Sequence, residues 1–234
     1  MTRNGFMIAL AVAGSVPASA WSACLPNVTA SNDDPFAYMV SVVNSLGWAK
    51  EGLADHGKKA ASSTDLLFNM KSAREKYSCA GKTLAPFLDS KSDSIKRTAE
   101  AVVAAYDNIR VASELAEAEL VALLDQASAG QTPGVGTRAQ ELATIRQNQD
   151  AAWNDLLPAV ALTTYALVKY DEGKPTGRLR ITKAQRQALK HQLEETFGLS
   201  VRKGMLVGQS YLRAAAGGLY TFLDNPKWRA SDAT

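Results

Sequence analysis

A single apolar line between Ile95 and Ala127 constrains this chain more than anything else in it. Ile95, Ala99, Val102, Tyr106, Ile109, Ser113, Ala116, Leu120, Leu123 and Ala127 repeat at an unbroken 4,3,4,3 spacing. That spacing keeps one side chain per half-turn on the same side of a helix. It predicts one helix roughly 50 Å long at 1.5 Å per residue, with a seam that neighbouring helices must cover. The line specifies an architecture and no reaction.

The rest of the chain reads as partners for that helix. The run Gly130 to Gly136 has three glycines and a proline and ends the central helix in a loop. Thr137-x-x-Gln140 has the form of a capping box opening a second long helix to about Tyr170. Its seam runs through Leu142, Ile145, Gln149, Ala152, Leu156, Ala159, Thr163, Ala166 and Tyr170. Pro158 lies inside it and should kink it. A short connection makes the two an antiparallel hairpin, about 91–128 and 137–171.

Upstream, Asp34-Pro35 reads as an N-cap and first helical residue, with a helix fraying near Gly57. Ser62-x-x-Asp65 caps a second helix, Pro86 breaks the pattern, and Ser90-x-x-Asp93 should cap the central helix. Downstream come a loop from Gly173 to Gly177, a Thr182-x-x-Gln185 box with a stop at Gly198, and a helix from Ser200 to about Leu223. Gly204, Gly208, Gly217 and Gly218 in that helix suggest either close backbone contact or a break at Gly217-Gly218. No strand-like alternation is apparent. The expectation is an all-α antiparallel bundle of five or six helices, one domain over 34–224, with an arm at 21–33 and a poorly ordered tail at 225–234.

Compartment is legible at the other end. Arg3, the apolar run Phe6 to Val16 and Ala18-Ser19-Ala20 have the form of a secretory signal peptide over residues 1–20, cut before Trp21. The run is too short to span a bilayer. The mature protein is therefore expected in the periplasm or outside the cell, where Cys24 and Cys79, the only cysteines, would pair. Lipidation of Cys24 is the alternative, although Trp21 stands where lipoprotein signals carry leucine.

Chemistry is less visible. Ligand spacings for covalent haem, a zinc protease or a di-iron carboxylate site do not occur, and there are two histidines, His56 and His191. His191-x-x-Glu194, Glu51 with Asp55, and Glu194-Glu195 read as solvated helix faces. Gly208-Gln209-Ser210-Tyr211 lacks the second glycine of a nucleophile elbow, and Gly134-Val135-Gly136 reads as a turn. No catalytic residue, metal ligand or cofactor is assigned, and the reading leans away from an enzyme.

The informative polar feature is a basic segment, Lys174, Arg178, Arg180, Lys183, Arg186 and Lys190, with no acidic residue between Lys174 and Leu193. Cations in the first turns of a helix oppose its dipole, so local helix physics does not explain them. Either they pair internally with Glu114, Glu117, Glu119 and Asp125, or Arg178, Arg180, Lys183, Arg186 and Lys190 contact an anionic partner. With a net charge of +3 and no aromatic interleaving, nucleic acid is not indicated. Trp48, Trp153, Tyr165 and Tyr211 are expected in the core. The functional expectation is a non-enzymatic interaction protein of a bacterial-type cell envelope. A carrier of a small ligand or cofactor is the alternative.

Overall fold

The computed structural model describes Cys24 and residues 31–130, 135–171, 174–198 and 211–230. It is an all-α bundle with one small two-stranded sheet. The leader read over residues 1–20 lies outside the described residues.

The first two helices start as their sequences dictate. In α1 (Pro35–His56) the Asp34 carboxylate accepts from the Phe36 N–H at 2.9 Å, and Gly57 closes the far end. In α2 (Ser63–Lys82) both halves of the capping box form: Asp65 N–H donates to the Ser62 hydroxyl and Ser62 N–H to the Asp65 carboxylate, each at 3.1 Å. Pro86 falls in a 3-10 turn, Ala85–Asp89, whose Phe87 packs edge-on against Tyr38 at 5.3 Å.

The central helix, α3 (Asp93–Ser128), is 36 residues long, about 54 Å. Its N-cap is Ser92, not Ser90. The Ser90 hydroxyl is engaged elsewhere, donating to Asp33 at 2.9 Å and accepting from the Ser92 N–H at 3.1 Å. Asp33 thereby ties the incoming arm to the α3 junction, and it also accepts from the Lys91 N–H at 2.6 Å.

The second long helix departs from expectation at both ends. α4 is Val135–Leu162, so it begins two residues before Thr137. It also stops well short of Tyr170. Pro158 carries no N–H to continue the ladder, and the buried Thr163 hydroxyl bonds back to the Val160 carbonyl at 2.6 Å, tightening the final turn. A single turn, α5 (Thr164–Leu167), leads directly into β1 (Val168–Asp171). This pairs antiparallel with β2 (Lys174–Leu179), Val168 opposite Leu179 and Tyr170 opposite Pro175. A strand therefore occupies 168–171, where the hairpin was expected to stay helical. The expected loop at Gly173 to Gly177 is mostly strand, with Gly177 at φ 76°.

α6 (Lys183–Phe197) has the complete Thr182/Gln185 capping box and a left-handed Gly198 at φ 63°. α7 (Tyr211–Leu223) runs unbroken through Gly217-Gly218, and a Cβ at Gly218 would meet nothing within 4 Å. Neither a break nor close contact there accounts for Gly218. The start expected at Ser200 lies outside the described residues. The expected loose tail instead forms α8 (Lys227–Ala230), with Trp228 buried and its indole donating to the Phe222 carbonyl at 2.7 Å.

Packing is ordered by tiers. α1 and α2 are antiparallel neighbours, so close at Gly52 that a Cβ there would stand 2.4 Å from the Tyr77 ring. α1 ends beside Ser72 and Lys76, both of which contact Asp55. Beyond that level, among the described residues, α2, α3 and α4 continue. The apolar line of α3 follows this change: Ile95 through Ser113 are buried, Ala116, Leu120 and Leu123 are half-buried, and Ala127 is exposed. The described side chains of α4 before Ala152 include none that is buried. The seam is thus a core seam for about its first two-thirds.

Candidate functional site

The basic segment does not form one surface. Arg186 is 3% exposed, and its guanidinium donates to the Leu223 carbonyl at the end of α7 at 3.2 Å. The Lys190 ammonium bonds the Asp224 carboxylate and lies 5.2 Å over the Tyr220 ring. Arg180 reaches the hydroxyls of Ser92 and Ser94 at 3.4 and 3.3 Å. These three hold α6 and the sheet to the bundle. Lys174, Arg178 and Lys183 are exposed and have no ion-pair partner among the described residues. The internal pairing that exists does not use the acidic face of α3. Glu114 is taken by Arg74 at 3.1 Å and by Arg110 at 2.7 Å, and Glu117 by Arg74 at 3.2 Å.

The histidine and carboxylate groups make contacts with their neighbours in the fold. His191 meets Glu195 at 3.1 Å, while Glu194 accepts from the Tyr220 hydroxyl at 2.5 Å. Asp55 is buried and accepts from Lys58 and Lys76 at 2.5 Å and from Ser72 at 2.6 Å. Burial opposes its charge, but those three donors and the Lys76 charge hold its carboxyl down at about 2. Burial also lowers the neighbouring His56. Among the described residues no three His, Cys, Asp or Glu side chains cluster as a metal site. A groove of about 160 Å³ between α2 and α3, lined by Tyr77, Gly81, Lys82, Tyr106, Asp107 and Arg110, is smaller than an ordinary small-molecule pocket.

Of the aromatic residues expected inside, Trp48 and Trp153 are half-buried against the core, Trp153 meeting Tyr77 edge-on at 5.4 Å, and Tyr211 is half-buried. Tyr165 is 52% exposed and stacks on Tyr170, ring centroids 6.4 Å apart and 25° from parallel.

One further feature was missed by the sequence reading. α3 carries a second line at heptad spacing on the side away from its seam: Ala104, Asn108, Val111, Leu115, Ala118 and Ala122. All six are exposed, Leu115 at 52%. The helix flanks this line with Glu100, Asp107, Glu114, Glu117, Glu119 and Asp125, of which Asp107, Glu114 and Glu117 are engaged by Arg110 and by Arg74 of α2. Its sequence signal is a second repeat, offset from the stronger seam that packs into the core.

Cys24 and Cys79 stand at disulfide distance, Cα atoms 5.0 Å apart. No described helix is long and apolar enough to cross a membrane. No family model, curated protein or solved structure matches the chain.

Proposed function

We propose that the chain is an exported, non-enzymatic interaction protein that binds a protein partner in the cell envelope through the outward face of α3. The observation that carries this reading is the second heptad line, Ala104 to Ala122, apolar apart from Asn108 and exposed while its counterpart seam is buried up to Ser113. An uncovered line of this kind is the half of a helix–helix contact that a partner helix completes. Its small residues admit close approach, and the flanking carboxylates without an ion pair among the described residues, Glu100, Glu119 and Asp125, favour a partner helix edged with lysine or arginine. They oppose pairing with a second copy of the same face. The leader expected over residues 1–20 and the paired cysteines support a periplasmic or secreted location.

A photo-crosslinking amino acid at position 115 tests the face in cells exporting the protein, with position 154, exposed on α4, as control. A discrete adduct from 115, absent from 154 and reduced at least tenfold by Val111→Glu in a protein with unchanged circular dichroism, is expected. Equal labelling at both positions, no discrete adduct from 115, or an adduct indifferent to Val111→Glu, refutes the assignment.

A further inference from the structure

We infer that Asn108 fixes the register of the partner helix on the outward face of α3, and that the partner sets a hydrogen-bonding side chain against it. This rests on the reading just proposed and narrows it. The line Ala104, Asn108, Val111, Leu115, Ala118, Ala122 is spaced 4,3,4,3,4, so Asn108 shares one heptad position with Leu115 and Ala122. It is the one polar residue of the six. Nothing within the chain accounts for it: Asn108 is exposed, and its amide has no partner among the described residues. It lies in the interior of a 36-residue helix, where asparagine is a poor helix former and caps nothing. Its neighbour Arg110 is committed along the flank, donating to Asp107 and to Glu114 at 2.7 Å each.

A helix packed over this line takes the amide out of water. Set against an aliphatic side chain, the amide loses its hydrogen bonds; set against a polar one, it keeps at least one. A partner slipped by one heptad still lays apolar layers on apolar layers elsewhere but strands the amide, so the penalty falls on the wrong registers. Side-chain size acts in the same sense. Val111 and Leu115, 39% and 52% exposed, stand in the middle of the line, with alanines at 104, 118 and 122. A partner fits when its large apolar residues fall opposite the alanines and its small ones opposite Val111 and Leu115. A second copy run parallel would match Asn108 with Asn108, yet the Val111 and Leu115 layers would hold its alanine layers apart and acidic flank would face acidic flank. The unpaired carboxylates Glu100 and Glu119 lie on either side of Asn108, about 28 Å apart along the axis, so the partner's cations bracket its polar residue.

The test places the photo-crosslinking amino acid at 104 and, separately, at 115 in cells exporting the full chain, and identifies the linked residue of the partner by mass spectrometry of the digested adduct. Wild type should give one linked residue from each position. Together they fix the register, and the partner residue that falls opposite 108 should be Asn, Gln, Ser or Thr. Asn108→Leu, at an exposed position where leucine is the better helix former, should leave circular dichroism unchanged and the total adduct undiminished. The share linked one heptad away should rise roughly tenfold, the worth of one buried amide pair. Asn108→Gln keeps the amide and should hold the single register. Scattered linkage in wild type, an aliphatic residue opposite 108, a single register retained in Asn108→Leu, or a linked residue in α3 of a second copy overturns the inference with the face still in use. No discrete adduct from 115 overturns the reading beneath it, and the inference with it.

Discussion

Replacing Asp55 by Asn should remove one proton's worth of acid sensitivity from the stability of the fold. The carboxylate is 3% exposed and holds two ammonium groups, Lys58 and Lys76, at 2.5 Å, with the Ser72 hydroxyl at 2.6 Å. Its carboxyl stays near 2 in the folded chain, against an ordinary value of 3.8. A depressed carboxyl stabilises the folded state above its unfolded value, and that contribution is lost as pH falls through the folded one. The difference, at 1.36 kcal/mol per unit, amounts to about 2.5 kcal/mol at neutral pH. Asp55→Asn should therefore cost about 2–3 kcal/mol at pH 7, and roughly 5–10 °C in Tm for a chain of this length. Urea unfolding measured from about pH 5 down to about pH 2 is the discriminating assay. The wild-type curve should fall more steeply than the mutant curve across that interval, and the two should converge at its acid end. Parallel curves, or a mutant as stable as wild type at neutral pH, would show that the Lys58–Asp55–Lys76 contacts contribute nothing net, as many exposed ion pairs do.

Two glycine substitutions of equal chemistry should act in opposite directions. Gly52→Ala drives a methyl to 2.4 Å from the Tyr77 ring and 3.1 Å from the Ala73 carbonyl, and the ring is already held by Trp153. It should lose about 1–3 kcal/mol to overpacking despite the better helix propensity. Gly81→Ala meets Tyr106 Cβ at an ordinary 3.6 Å and should gain about 0.5–1 kcal/mol, both read by thermal unfolding. Tyr106→Phe removes the buried hydrogen bond to Ser45, 3.1 Å long, and should cost about 1 kcal/mol in urea denaturation. Cys79→Ser opens a crosslink spanning 55 residues and should lower stability by about 4 kcal/mol on the chain-entropy account. Treating the wild type with a reductant should reproduce that loss.

What was readable in advance was whatever local chemistry settles. The Ser62/Asp65 and Thr182/Gln185 boxes, the Asp34-Pro35 start and the Gly198 stop involve side chains within one turn of the groups they satisfy, so their spelling is their structure. Ser90 spells the same box and fails it: its oxygen accepts from the Ser92 N–H, its O–H donates to Asp33 from across the fold, and the helix starts two residues later. The end of α4 departs from its sequence spacing for a related reason. Thr163, Ala166 and Tyr170 keep helical spacing whether or not the chain stays helical, and only the pairing of β1 with β2 converts the last four residues to strand. Trp228 shows the converse. A polar, short tail carries one indole, and that indole finds a buried place against Phe222 at 5.3 Å which no periodicity announces.

The same distinction explains why the basic segment does not form one surface. A run of cations is visible in any sequence, but whether each faces water depends on which helix end lies beside it. Arg186 and Lys190 turn out to face the C-terminal end of α7, where a free carbonyl and Asp224 need donors, so they are spent within the fold. Of the cations that remain, Lys174 and Arg178 belong to β2 and Lys183 opens α6. The outward apolar line lies along α3: Leu115 is 21 residues past Ser94, about 30 Å at helical rise. A rod of 36 residues carries this alanine-rich face well clear of the elements packed at its start, so the length of the heptad run sets the reach of the proposed contact as well as the fold.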